Sequence, residues 1–129
     1  MNKILVEVSV GELLDKISIL EIKKGKIKDL EKLEFINNEH GILNDQLDQN
    51  VKSDDKLTKL FQSLKEINAR LWVIEDDKRA CERNKDFGEN FIKLSRDVHF
   101  LNDDRAKIKL EINILSGSKI KEIKEYVKY

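Results

Sequence analysis

Apolar residues follow two different periods along this chain. Over residues 3–10 they alternate: Ile4, Val6, Val8 and Val10 share one side, and Lys3, Leu5, Glu7 and Ser9 share the other. A period of two predicts a β-strand. From Leu13 the spacing changes to three and four, with Leu13, Leu14, Ile17, Leu20, Ile27 and Leu30 on one stripe and Ile19 and Ile22 widening it. That period predicts a helix, and a stripe this broad implies packing on two neighbours. Ser9-Val10-Gly11-Glu12 matches a capping box, which starts the helix just after Ser9. The reading carries it to about residue 37, where Asn37-Asn38-Glu39-His40-Gly41 forms the first break.

A turn of helix is expected over residues 42–47, followed by a polar stretch in which Ser53 is a candidate cap. Leu57, Leu60, Phe61, Leu64, Ile67, Leu71 and Ile74 form a second stripe. Asp86-Phe87-Gly88 reads as the second break. Phe91, Leu94, Val98, Leu101, Ile108, Ile112 and Leu115 then predict a third helix over about 89–115, with Gly117 as a left-handed cap. The tail suits either a short helix through Ile120, Ile123 and Val127 or a strand paired with residues 3–8. The same strand of a second subunit is another possible partner, since an isolated strand is not stable. The expected fold is therefore mainly α: an antiparallel bundle of three long helices, with a short N-terminal β-strand and a tail open between helix and strand.

Composition agrees with long helices. The chain has 129 residues, no Pro and five Gly, and it is read as one domain spanning 1–129. Charged residues make up 39 %, well above the usual ~25 %. The formal net charge is zero with signs interspersed, so nucleic acid is not an expected partner. No apolar run approaches the ~18 residues of a membrane helix, and no signal peptide precedes the fold, so a cytoplasmic protein without membrane contact is expected. The single Cys81 excludes an internal disulfide and a cysteine-rich zinc site.

Charge placement directs attention to one third of the chain. Only five of the 25 basic residues are Arg, and all five lie between positions 70 and 105. Arg grips carboxylate or phosphate with a planar fork that Lys lacks. In RLWVIEDDKR, Trp72, Glu75, Asp76 and Arg79 stack on one helix face. They form either a solvated salt-bridge ladder or the wall of a polar site. Arg96, His99, Asn102 and Asp103 make the corresponding face of the third helix. Arg105 interrupts that helix's apolar stripe between Leu101 and Ile108. A buried guanidinium needs a carboxylate or a bound anion, unless its stem packs while its head reaches water. Glu21 and Glu75 are candidate partners. These ten residues are the candidate charged network or anion-binding site.

Complete catalytic constellations are harder to find. A magnesium site of the kind found in all-helical nucleotide pyrophosphohydrolases needs several facing carboxylates. Glu75 and Asp76 are adjacent and diverge, and the paired E-x-x-E spacing of those enzymes is not reproduced. LLDKISILEIK superficially resembles the first helix of chorismate mutases, yet helix 1 contains no Arg. His40 and His99 lack the Glu three residues earlier that a di-iron bundle uses. Cys81 has no placed histidine, and there is no glycine-rich phosphate loop. No cofactor or resident metal is expected.

VSVGELLDKISILEIKKGKI, LWVIEDDKR and FIKLSRDVHFLNDDRAKIKLEIN, followed by a Gly-Ser stop, together resemble the domain-of-unknown-function family 6165. Its members are small proteins of bacteria and their phages with no established activity. The resemblance runs from Val8 to Tyr126. It implies importance for charged and amide positions kept here: Glu12, Asp15, Lys16, Glu21, Lys23, Glu75, Asp76, Arg79, Arg96, Asn102, Asp103, Arg105 and Asn113. The expected function is a non-catalytic interaction or structural module with an interhelical charged network, partnered by a second copy or another protein. The alternative is a small all-α enzyme or binder of an anionic metabolite, of pyrophosphohydrolase-like or chorismate-mutase-like type.

Overall fold

The computed structural model describes residues 2–119, 122–125 and 127–128. It contains four helices: α1 (Val10–Lys26), α2 (Leu30–Asn50), α3 (Asp55–Arg83) and α4 (Glu89–Ser116). The expected three-helix bundle with an N-terminal strand is thus corrected to an all-α four-helix bundle, with no β-strand among the described residues.

The extra helix comes from a misplaced break. α1 stops at Lys26, where Ile27 turns to extended backbone (φ −92°, ψ 132°). Asp29 then caps α2 by accepting from the backbone N–H of Glu31 (3.0 Å) and Lys32 (3.2 Å). Lys23, Lys24 and Lys26 fill the last turn of α1, where cations suit the negative end of the helix. The polar cluster at 37–41 lies inside α2 instead. Asn37, Asn38, Glu39 and Gly41 face solvent, whereas Ile36, His40, Leu43 and Leu47 turn inward at helical spacing. His40 occupies one of those inward positions, so the α2 stripe is not visible as an apolar one.

The strand fails for want of a partner. Residues 2–9 form no ladder, and Ile4, Leu5 and Val6 stand exposed, Leu5 at 83 %. Alternation specifies two faces but supplies no neighbour, and an unpaired strand has no hydrogen bonds to hold it. The described tail residues 122–125 and 127–128 also lack regular structure, and Ile120 lies outside the described residues.

Other local readings match the helix ends. Ser9 caps α1 and accepts from the Glu12 N–H at 3.1 Å. Gly117 closes α4 in the left-handed region (φ 66°, ψ 31°), with Ser118 N–H returning to Asn113 O at 3.0 Å. α3 is capped by Asp54, one residue beyond the expected Ser53.

α1 is the central element and packs on all three other helices. α2 folds back against it, and α3 and α4 form a long hairpin. Leu14 of α1, Leu57 and Leu64 of α3 and Ile112 of α4 make the buried core, flanked by Val10, Leu47, Val51, Leu60, Phe61 and Ile108. All four helices therefore contribute to one apolar centre, and a polar seam lies beside it.

Candidate functional site

The seam starts on α1. Gly11, Asp15, Ser18 and Ile22 recur at spacings of four, three and four, so they form one ridge, and all four are buried. Two of them are polar. On α4, Asn102, Arg105, Lys109 and Asn113 recur at three, four and four and form a polar line alongside the apolar Leu101 and Ile112. α1 and α4 run antiparallel, so Gly11 meets Asn113 and Asp15 meets Arg105 and Lys109.

Asp15 is the hub. Its side chain is 3 % exposed. Both carboxylate oxygens engage the Arg105 guanidinium, Oδ1 accepting from Nε at 3.0 Å and Oδ2 from Nη2. Asn68 of α3 donates from Nδ2 to Asp15 Oδ1 and to Ser18 Oγ, both at 2.8 Å. Ser18 Oγ in turn donates to the Asp15 carbonyl at 2.8 Å. A buried carboxylate is tolerable when its lone pairs are filled and a cation neutralises it. Both conditions hold here, and the arrangement ties α1 to α3 and α4 at one point.

Lys109 forms the next layer. Its ammonium sits 2.8 Å from Glu12, 3.0 Å from Glu122 of the tail and 3.7 Å from Asp15, with only 9 % of the side chain exposed. Burial pushes its pKa down, but hydrogen bonds to Glu12 and Glu122 and the charge of Asp15 outweigh that and raise it. The Arg105 pKa is raised chiefly by its hydrogen bond to Asp15, against the opposing effect of burial. Glu122 is held below the ordinary carboxylate range by hydrogen bonds to Lys109 first and then Lys124.

A further amide closes the helix end. Gly11 N–H donates to Asn113 Oδ1 at 2.7 Å, and Val10 N–H donates to Ser118 Oγ at 3.3 Å. Two N–H groups that α1 itself leaves without partners are thereby satisfied from the far end of α4. A separate polar bridge lies away from Asp15: Glu21 of α1 accepts from Lys65 of α3 at 3.0 Å, and its other oxygen lies 3.2 Å from Nε2 of His40 in α2.

The ten residues singled out in the sequence are divided among several places. Arg105 and Asn102 belong to the seam, with Asn102 Oδ1 3.4 Å from Arg105 Nη1. Arg105 pairs with Asp15, not with Glu21 or Glu75. Glu21 belongs to the His40–Lys65 bridge. Glu75 and Arg79 lie 4.0 Å apart on the surface of α3, with the Arg79 side chain 80 % exposed. Asp76 is exposed beside them, and Trp72 is half-buried at the border. This stretch is a solvated ladder where α3 leaves the core. Arg96 lies over the Phe100 ring at 6.0 Å, and His99 is tilted against the same ring with centroids 4.4 Å apart. Asp103 is half-buried on α4.

Asn68, Ser18, Lys109 and Glu122 escaped the sequence reading. Asn68 falls between Leu64 and Leu71 within the second stripe, at spacings of four and three. A polar residue at such a position is the same anomaly that exposed Arg105, and it was legible. Lys109 neighbours Ile108 in a chain rich in Lys, so nothing set it apart.

Among the described residues, every buried side-chain nitrogen and oxygen has a hydrogen-bond partner, and no group of three or more His, Cys, Asp or Glu is arranged to hold a metal. No helix among them is long and apolar enough to cross a membrane. The molecule is a small all-α protein built around an interhelical salt-bridge network. The family model described as "Family of unknown function (DUF6165)" matches residues 4–128. No curated protein and no solved structure matches the chain.

Proposed function

The chain belongs to this family of unknown function, DUF6165, and on that premise we propose that it is a non-catalytic interaction or structural module. Its buried charged network fixes the register of the helices, and its outer faces meet a partner protein or a second copy of the chain. The observation that carries this reading is the closure of Asp15: Arg105 and Asn68 occupy both of its oxygens, and Lys109 stands behind them. A general acid or base must reach a substrate proton at hydrogen-bond distance, and Asp15 is committed to internal partners. A buried ion pair that contributes little net stability can still select one arrangement of helices over others.

The surface supports the second half of the reading. Phe35 and Ile42 lie seven residues apart on α2 and are exposed, as are Ile92 and Ile114 on α4. Phe35 and Ile42, two turns apart on one face of α2, suit association. The whole of 1–129 acts as one unit in this reading, in the cytoplasm, and the homodimer is its simplest assembly.

Two measurements on the purified full chain test it together. Sedimentation across a concentration series is expected to show reversible self-association, and a chain that stays monomeric throughout overturns the homodimer. A thermal-shift screen against nucleotides, sugar phosphates and divalent metals is expected to show no change in midpoint. A ligand present at one hundred times its Kd adds about 2.7 kcal/mol, which moves the midpoint by several degrees. A shift of that size with a nucleotide, sugar phosphate or metal overturns the non-catalytic reading.

A further inference from the structure

The polar seam does not end at the bundle surface. Beside Arg105 and Lys109 it opens into a small recess, also lined by Asn102, Ala106, Glu122 and Lys124. Its free space is about 20 Å³, room for roughly one water molecule. Any larger occupant must therefore displace the tail, because it cannot fit next to it.

We propose that this recess is a docking site for a glutamate side chain carried on an extended peptide segment, filled in cis by Glu122 and in trans by a glutamate of a partner protein. The inference deepens the interaction-module reading and rests on it, by naming the chemistry of the partner.

Three observations carry it. The first is donor capacity on the recess side. Asp15 consumes Nε and one Nη2 hydrogen of Arg105, while Nη1 makes a single long contact, 3.4 Å, to Asn102. A guanidinium has five N–H donors, so donors beyond those given to Asp15 and Asn102 remain on a side chain that lines the recess. The second is the need of Lys109. An ammonium has three donors, and this one is almost wholly buried, with two short carboxylate contacts, to Glu12 and to Glu122. When Glu122 departs, one of those donors loses its carboxylate, and an incoming carboxylate would restore the charge-assisted contact. The third is the way the tail is held. Residues 122–125 have no regular structure, and Ile123 is 77 % exposed. Glu122 meets Lys109 with one oxygen and Lys124 of its own segment with the other. A segment without regular structure that meets α4 through a carboxylate can exchange that contact for a competitor of the same chemistry.

The test uses the full chain, isotopically labelled, and a synthetic peptide spanning residues 119–128 added in trans. Glu122→Gln removes the tail's charge at the recess and so weakens its hold there, without touching the helices. The peptide is then expected to shift the backbone amides of Ala106 and Lys109 and to leave those of His40 and Lys65 unchanged. If the tail fills the recess about nine-tenths of the time, the peptide binds the wild-type chain about tenfold more weakly than the variant. The same peptide with Glu122→Gln is expected to lose the shifts. The proposal is overturned if Ala106 and Lys109 do not respond at millimolar peptide. Equal binding by the Glu and Gln peptides, or equal affinity of wild type and variant, overturns it as well. A chain that self-associates while its recess stays silent loses this inference and keeps the interaction-module reading. A recess that responds in a chain whose midpoint shifts with a nucleotide keeps the glutamate site and loses the broader reading.

Discussion

Asp15 of α1 receives two N–H groups from the Arg105 guanidinium of α4, ninety residues further along the chain. The carboxylate is nearly inaccessible, whereas 29 % of the Arg105 side chain reaches solvent. That asymmetry shapes the energetics. The Asp15 charge depends wholly on its partners, while the guanidinium keeps part of its hydration. Losing the cation is therefore more serious than its half-exposed position suggests, because it strands a charge that water cannot reach.

Close approach of α1 and α4 depends on Gly11. A Cβ built there would lie 2.7 Å from the Lys109 carbonyl oxygen and 3.0 Å from Asn113 Oδ1. The carbonyl belongs to a helix backbone and cannot rotate away. Gly11→Ala is expected to push the helices apart and cost about 1–3 kcal/mol, the usual range for overpacking. Urea unfolding of the variant checks it. A change below about 0.5 kcal/mol would mean that the helices separate freely at this end.

Gly41 offers the opposite case. It lies within α2, with open space where a Cβ would stand. Gly41→Ala is expected to raise stability by about 1 kcal/mol, the difference in helix propensity between the two residues. Thermal melts check it, and a loss of stability would argue that the chain breaks at 37–41 after all.

The sequence showed the start of α1 and the end of α4 well, and the turn between α1 and α2 and the pairings poorly. Ser9 and Gly117 act within a few residues of themselves, so their caps were readable. Arg105 was identifiable as out of place, because one charge in an apolar stripe is a local anomaly. Its partner was not, since Glu21, Glu75 and Asp15 all lie near stripes on other helices and the choice depends on how the helices cross. The break at 27–29 was hidden by apolar Ile27 and Leu30, which continued the α1 pattern across a turn. His40 hid α2 in the opposite way, by placing a polar ring where a stripe residue was due.

Acid and base are expected to act on different ends of the Lys109 layer. The folded pKa of Glu122 is lowered from 4.5. Its contribution is therefore present above that value and is lost as pH falls through the folded one. The folded pKa of Lys109 is raised from 10.5. Its contribution is complete below that value and is lost as pH rises through the folded one. Tail amide shifts at 122–125 should report release in acid while the helices remain, and stability measured by denaturant should decline in strong base. Tail shifts that ignore acid titration would show that Glu122 does not anchor it.

Surface charge at the end of α3 is expected to matter little. Arg79 and Glu75 are both exposed, and their contact is long. Arg79→Ala should change stability by less than about 0.5 kcal/mol, as solvated pairs usually do. A larger loss in a denaturant melt would show that the Trp72 border is part of the packed core.

The Asp15–Arg105 pair is tested most directly by one denaturant melt, that of Arg105→Leu beside wild type. Leu suits the apolar stripe between Leu101 and Ile108, so any loss reports the stranded carboxylate and not poor packing of the new side chain. The expected loss is about 3–5 kcal/mol, the scale for breaking a buried ion pair from one side. A loss under about 1 kcal/mol would contradict it and show that Asp15 does not need Arg105 to remain in the core.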